Sequence, residues 1–217
     1  VDYNHEMSKP SLAIHGGAGT IRKSQMTPAL EAEYRGGLEN ALKTGWSILE
    51  RGGSSLDAVE AAVVSLEDFP LFNAGRGSVF THEGEQEMDA SIMNGRDLRA
   101  GAVAFVKNIK NPVKLARLVM ERTEHVLLAG EGANQFAEQI GVETAPDEYF
   151  FTEHRWLQLQ DAMAEGRVQM DHAKSSPPYE GGVNAALGGR GGSLQKPTGT
   201  VGAVACDGNG FLAAATS

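Results

Sequence analysis

The residues with the clearest chemical potential are Gly199 and Thr200. The run Pro197-Thr-Gly-Thr200 leads straight into the apolar stretch Val201-Gly-Ala-Val-Ala205. A hydroxyl at the head of a buried strand, behind a segment built of Gly, Pro and Ser, is an odd arrangement for stability alone and suggests a cleavage site. Cutting the Gly199–Thr200 bond would leave Thr200 with a free amine beside its own hydroxyl, so that nucleophile and base share one residue. An α-amino group has a pKa of about 7.7–8.0, so near neutral pH a useful fraction is unprotonated and can take the hydroxyl proton. Glycine at 199 lacks Cβ, which permits strained backbone and leaves its carbonyl open to attack. Read alone, the same residues are more commonly a loop feeding a hairpin, because Gly-Thr pairs are frequent.

Other chemistries are poorly supported. His5, His15, His82, His125, His154 and His172 are scattered without the i, i+4 spacing of a helical zinc site, and one cysteine, Cys206, supplies no thiolate cluster. The loops GGAGT and GGRGGS lack the Lys-Ser/Thr ending that would cradle phosphates. Glu85, Glu87 and Asp89 alternate, which reads as an exposed strand face before it reads as paired carboxylates. Cys206 sits in an alternating apolar stretch and is expected to pack as a small buried hydrophobe.

Positioning Thr200 requires a scaffold, and its elements are legible. Ser11-Leu-Ala-Ile14 reads as a strand entering the loop His15-Gly-Gly-Ala-Gly19. From Thr27-Pro28, Leu30, Tyr34, Leu38, Leu42, Trp46 and Leu49 recur at helical intervals up to Gly52-Gly53. Leu56, Val59, Val63 and Leu66 share a face of a second helix that Pro70 closes. Ala102–Val106 is a strand-length run. Asn111-Pro112 opens a helix carrying Val113, Ala116, Leu118 and Val119. Glu131–Ile140 and Thr152–Glu165 are two further helical patterns, each followed by a glycine. Thr200–Ala205 and Phe211–Ala215 flank Asp207-Gly-Asn-Gly210 as a hairpin. The layout is mixed α and β: a body over residues 1–174, a linker over 175–199 too rich in Gly, Pro and Ser to offset its ordering entropy, and the start of a second part over 200–217. The linker reads as mobile, and residues 1–6 contribute nothing to this layout.

The sequence has 217 residues, 41% apolar and 22% charged, which fits one folded unit. A net charge of −9 argues against tracking a phosphate backbone, so nucleic acid is not an expected partner. No apolar run of about 18 residues suggests a membrane span, and the N-terminus has no apolar signal core. One unpaired cysteine fits a reducing, cytoplasmic setting.

Beyond these readings, SLAIHGGAGT, FPLFNAGRGSVFT from Phe69, MDASIMNGRDLRAGAVA from Met88, NPVKLARLVM from Asn111 and GTVGAVACDGNGFLAAATS at the end together resemble the isoaspartyl peptidase/L-asparaginase family. The likeness runs from Leu12 to Ser217 apart from the linker. It implies an N-terminal nucleophile hydrolase with an αββα four-layer sandwich, made as a precursor that cuts itself before Thr200. The substrates it implies are the side-chain amide of asparagine and isoaspartyl peptides. Asn73 matches the asparagine of the NAG segment near the nucleophile, and equally suits a turn. His15, Gly16 and Gly17 match the HGG loop beside the nucleophile. The main-chain oxygens of Leu66, Glu67, Phe69, Phe72, Ala74 and Arg76 match those that hold a structural Na⁺, a hard cation suited to carbonyl ligands. No organic cofactor is implied, and the assembly implied is an (αβ)₂ pair of processed subunits.

The sequence also departs from that pattern. The family continues past the ATS segment for about 100 residues, half a domain more. That continuation carries a second threonine, the residues that hold the substrate's α-carboxylate and α-amine, and the oxyanion hole, so residues 1–217 alone are expected to be inactive. Two classes follow: an enzyme completed by a further β-subunit segment, or a non-catalytic fragment of one. A glycosylasparaginase-like or threonine-protease relative is the alternative within the enzyme class.

Overall fold

The computed structural model describes residues 8–17, 26–164 and 200–217. The linker and Gly199 fall outside these residues. The first strand, β1, is Ser11–His15. Helix α1, Pro28–Glu50, starts where the Thr27 side chain accepts a bond from Leu30 N, with proline in the first turn. Helix α2, Ser55–Glu67, is capped in the same way by Ser54, which accepts from Asp57 N. A short 3₁₀ turn, Gly75–Gly77, precedes β2, Met88–Asn94, and β3, Ala100–Val106. Helix α3, Pro112–Arg122, leads to β4, Leu127–Ala129, and α4, Gly130–Ile140. The left-handed Gly141 ends α4, as its glycine signal predicted. After the one-turn α5, Asp147–Phe150, comes α6, Glu153–Ala164, and after the linker come β5, Gly202–Cys206, and β6, Leu212–Thr216.

The strands form one six-stranded mixed sheet in the order β1-β5-β6-β2-β3-β4, parallel between β3 and β4 and antiparallel elsewhere. The hairpin that follows the linker is therefore inserted into the middle of a sheet whose flanking strands come from the body. The inward residues of β5 and β6 are all alanine, Ala203, Ala205, Ala213 and Ala215, and Val201 just ahead of β5 is buried with them. Such small side chains let α2 lie close over β5 and β6, while α3 covers β2 and β3, and α1 packs on α2 and β1. Val59, Val63 and Leu66 are completely buried in this layer, each adding about 1.5–3 kcal/mol of transfer free energy.

The opposite face of the sheet is open and apolar. Cross-strand register sets Ala13, Val204, Ala214 and Met93 in one row and Ser11, Cys206 and Leu212 in the next. Val204 is 54%, Met93 43% and Leu212 61% exposed. Cys206 therefore corrects the expectation of a buried thiol. Alternation puts its neighbour Ala205 inward and Cys206 on the open face, half-buried.

Two further readings are refined. Leu42 and Trp46 of α1 are about two-fifths exposed, and the buried stripe is Gly37, Ala41, Gly45 and Leu49. The cause is close approach: a Cβ on Gly45 would stand 2.8 Å from the Ala58 carbonyl oxygen and 3.1 Å from the Ala62 methyl, so the α1–α2 contact selects small residues. Strand β5 also begins at Gly202, two residues later than the apolar run suggested.

Candidate active site

Thr200 stands just ahead of β5, and both ends of its hairpin are tied down. At the turn, Asp207 is buried; its Oδ1 accepts from Asn209 N and Phe211 N, and its Oδ2 accepts from Ser55 N at the start of α2. At the open end, Val201 and Ser217 exchange both backbone bonds, at 3.0 and 3.1 Å. The Thr216 hydroxyl adds a third, donating to the Val201 carbonyl at 2.8 Å. A residue placed immediately before such a clamp is fixed in direction, which is what a nucleophile needs.

His15, at the end of β1, reaches Thr200 itself: its Nδ1 lies 3.0 Å from the Thr200 carbonyl oxygen. That contact is a hydrogen bond when Nδ1 carries the proton. Gly17 N also lies 3.3 Å from Nδ1, so in the other tautomer the imidazole closes its own loop instead. Gly17 has φ +117, a conformation that favours glycine, and Gly16 is flush against the core, where a Cβ would sit 2.8 Å from Leu38 Cδ2 and 3.0 Å from Phe72. The glycines of this loop thus join Thr200 to the Phe72 loop through one backbone turn.

Register extends this site across the sheet. His15 pairs with Gly202, Gly202 with Thr216, and Thr216 with Ser91, so one row of the open face carries His15, Thr216 and Ser91 beside a bare glycine. The row edges a depression of about 540 Å³ floored by Ala13, Val204 and Ala214. Thr216 and Ser91 were not singled out from the sequence. Their signal was strand alternation, which shows a face but cannot show which strands become neighbours.

The Leu66–Arg76 loop packs through Phe72 against Gly16, in the loop that follows β1. Phe72 is held between Tyr34 and Phe69, with ring centroids at 5.8 and 5.5 Å. The carbonyl oxygens of Glu67, Pro70 and Phe72 all turn toward the Gly75–Gly77 backbone. A Cβ on Gly75 would lie 2.5 Å from the Glu67 oxygen, and one on Gly77 would lie 2.6 Å from the Pro70 oxygen and run into the Phe72 oxygen. Arg155, buried at the start of α6, donates from Nε to the Gly77 carbonyl at 2.8 Å and fixes the turn from outside. Asn73 accepts on Oδ1 from Val79 N at 3.0 Å, bracing this same loop. Arg76 lies over the Tyr149 ring at 5.5 Å. The Tyr149 hydroxyl donates to Asp68, and burial together with that carboxylate pushes its pKa up to about 12.

The side chain of Glu67 is the electrostatic anomaly of the region. It is completely buried, and burial pushes its pKa up to about 8, so at pH 7 it is held as a neutral acid. Its Oε1 accepts from Val113 N at the start of α3, at 3.0 Å. Sequence reading noted Glu67 for its main-chain oxygen, since an acid within an apolar helical face gives no sign of burial. The alternating Glu85, Glu87 and Asp89 form no acid pair: Lys107 bridges Glu85 and Glu87, and Asp89 accepts from Phe105 N at 2.8 Å. Among the described residues no cluster of three or more His, Cys, Asp or Glu is arranged to hold a metal ion, and no helix is long and apolar enough to cross a membrane.

Comparison with known proteins agrees with this arrangement of segments. A family model described as asparaginase matches residues 8–217. The chain is 46% identical over 211 residues to the isoaspartyl peptidase of Escherichia coli K12, covering 97% of this chain and 61% of that protein. It is 46% identical to the human isoaspartyl peptidase/L-asparaginase, covering 96% of this chain and 59% of the relative, and 43% identical to the Xenopus laevis protein of the same name, covering 94% and 67%. The chain thus spans about three-fifths of the length of the Escherichia coli and human relatives. On the strength of a match that begins before β1 and continues through Thr200 to the end of β6, the chain belongs to the asparaginase family.

Proposed function

We propose that the protein is a threonine hydrolase that cuts itself between Gly199 and Thr200 and then hydrolyses the side-chain amide of asparagine and isoaspartyl peptide bonds. The observation that carries this reading is the position of Thr200, at the head of a hairpin clamped by Val201–Ser217 and within reach of His15, in a chain of this family. In the first reaction the Thr200 hydroxyl attacks the Gly199 carbonyl, the peptide nitrogen leaves as the Thr200 amine, and water hydrolyses the resulting ester. In the second, that amine takes the hydroxyl proton as Thr200 attacks the substrate carbonyl. Ammonia or an amino acid departs, and water releases aspartate from the acyl-enzyme. The His15 contact is to the carbonyl of Thr200, on the far side of the residue from the bond being cut, so it can steady the nucleophile through cleavage.

The open sheet face supports the rest of the reading. Val204, Met93 and Leu212 form a broad apolar surface on the side away from α1–α3, and in a four-layer αββα sandwich a second sheet supplied by the remaining β-subunit would cover it. Paired (αβ)₂ assembly and a cytoplasmic setting belong to the same proposal. The direct test is to incubate the full-length protein with asparagine and with an isoaspartyl dipeptide and to measure ammonia and free amino acid. Release from neither substrate by processed protein would remove the assignment.

The sodium ion would be held by the main-chain oxygens of Leu66, Glu67, Phe69, Phe72, Ala74 and Arg76, of which those of Glu67 and Phe72 lie close against the Gly75–Gly77 backbone, and main-chain oxygens suit a hard cation. Bound there, the ion would supply a fixed positive charge that organises the loop and takes no part in bond making. Exchanging sodium for choline at constant ionic strength is expected to lower the thermal midpoint by a few degrees, the scale of about 1–2 kcal/mol of ligand stabilisation. An identical melt in both salts would show that the loop holds no sodium.

A further inference from the structure

Two buried polar atoms in the described structure meet no hydrogen-bond partner: Glu67 Oε2 and Ser217 Oγ. They belong to neighbouring groups, because Ser217 is among the side chains acting on the Glu67 carboxyl. An unmade bond in a dry interior is costly, by about 1–3 kcal/mol for each group, so a pair of such atoms side by side calls for an explanation. The surrounding bonds indicate one. Glu67 is anchored on its other oxygen by Val113 N, and the side chains of Ser217 and Asn111 both act on its carboxyl group. Ser217 exchanges two backbone bonds with Val201, the residue that follows Thr200. The two orphaned atoms therefore stand between the α2–α3 layer and the backbone pair next to Thr200.

We propose that Glu67 is a positioning residue for Thr200: its carboxyl group engages the Ser217 hydroxyl, and through the Ser217–Val201 pair this bond holds the direction of Thr200. Glu67 touches neither substrate nor the bond being cut. It acts by holding the open end of the hairpin at the height where β5 and β6 enter the sheet, a small displacement of which would move Thr200 off line. Misplacement of a nucleophile by a fraction of an ångström to about 1 Å is enough to slow a reaction by about tenfold to a hundredfold. The Thr216 hydroxyl already holds the Val201 carbonyl, so the proposed bond completes a clamp with one member on each of two consecutive residues of β6 and its end.

The inference rests on the proposed self-cleavage, and the test separates the two. The full-length protein is prepared as parent, Glu67→Gln, Glu67→Leu and Ser217→Ala, and each is followed for cleavage before Thr200 by electrophoresis and for its thermal midpoint. Glutamine keeps an acceptor for Val113 N and a donor for Ser217, so Glu67→Gln is expected to cleave within about threefold of the parent rate. Glu67→Leu and Ser217→Ala are expected to cleave about tenfold more slowly or worse, Ser217→Ala with the parent's thermal midpoint. The rescue by glutamine is what a merely space-filling role would not produce. Ser217→Ala cleaving at the parent rate, or Glu67→Gln as slow as Glu67→Leu, overturns the proposal while leaving Thr200 as nucleophile. If Glu67→Leu does not fold, the other two variants decide the matter. A parent protein that is never cut before Thr200 overturns the functional reading itself, and this inference with it.

Discussion

Replacing Thr200 by alanine in the full-length protein is expected to leave an uncut chain with no measurable amide hydrolysis. Alanine has no oxygen to attack the Gly199 carbonyl and none to attack substrate, so the two reactions fail together. Removal of a nucleophile costs about 10⁴-fold or more in turnover. Thr200→Ser should retain slower versions of both reactions, because the hydroxyl survives while the methyl that restricts χ1 is gone. Thr200→Cys should cut itself, since a thiol is the stronger nucleophile, yet turn over poorly. The clamps of the hairpin run through Val201, Thr216, Ser217 and Asp207. A Thr200→Ala protein that folds but remains uncut is the expected result, and one that is cut normally would be incompatible with the mechanism.

The largest expected loss of stability lies elsewhere, at Gly101. This buried residue of β3 lies directly under α3, where a Cβ would overlap the Ala116 carbonyl oxygen and stand 2.7 Å from Met120 N. Both are helix backbone, which cannot swing aside as a side chain can. Gly101→Ala should force α3 away from the sheet and cost about 3 kcal/mol, at the upper end for overpacking by one methyl group. For a domain of this size that corresponds to a fall of about 6–12 °C in thermal midpoint. Gly36→Ala is the matched control: this α1 glycine has nothing within 4 Å of its would-be Cβ, so alanine should stabilise the helix by about 0.5–1 kcal/mol. Equal melts for the two variants would mean that the α3–β3 contact is looser than described.

How much of this was readable beforehand divides along physical lines. Local signals held well. The helix read from Thr27-Pro28 begins there, Gly141 ended α4, and Leu56, Val59, Val63 and Leu66 shared the buried face of α2. Long-range selection was not legible. Trp46 and Leu42 were read into the α1 core stripe because they are large and apolar, yet the contact with α2 demanded Gly45 and Ala41. Strand β2 was quoted only as part of a likeness, although Met88, Ala90 and Ile92 alternate inward as a half-buried strand should. Three-residue β4 carries too few residues for any pattern. In the candidate site, Thr200 and His15 were both named, and the structure brings them to 3.0 Å. The clamp made by Thr216 and Ser217, and the buried acid of Glu67 behind it, depended on which strands become neighbours. One chain's periodicity does not carry that information.

The central claim is that Thr200 forms the bond to substrate, and peptide mapping of the full-length protein tests it most directly. The protein is allowed to cut itself, given an asparagine analogue that acylates the nucleophile and hydrolyses slowly, and digested for mass spectrometry. The account predicts a new N-terminus at Thr200 and the added mass on that same residue, in the peptide that runs into Val201. An N-terminus at any other position, or the adduct on another residue while the Thr200 peptide keeps its unmodified mass, would contradict it.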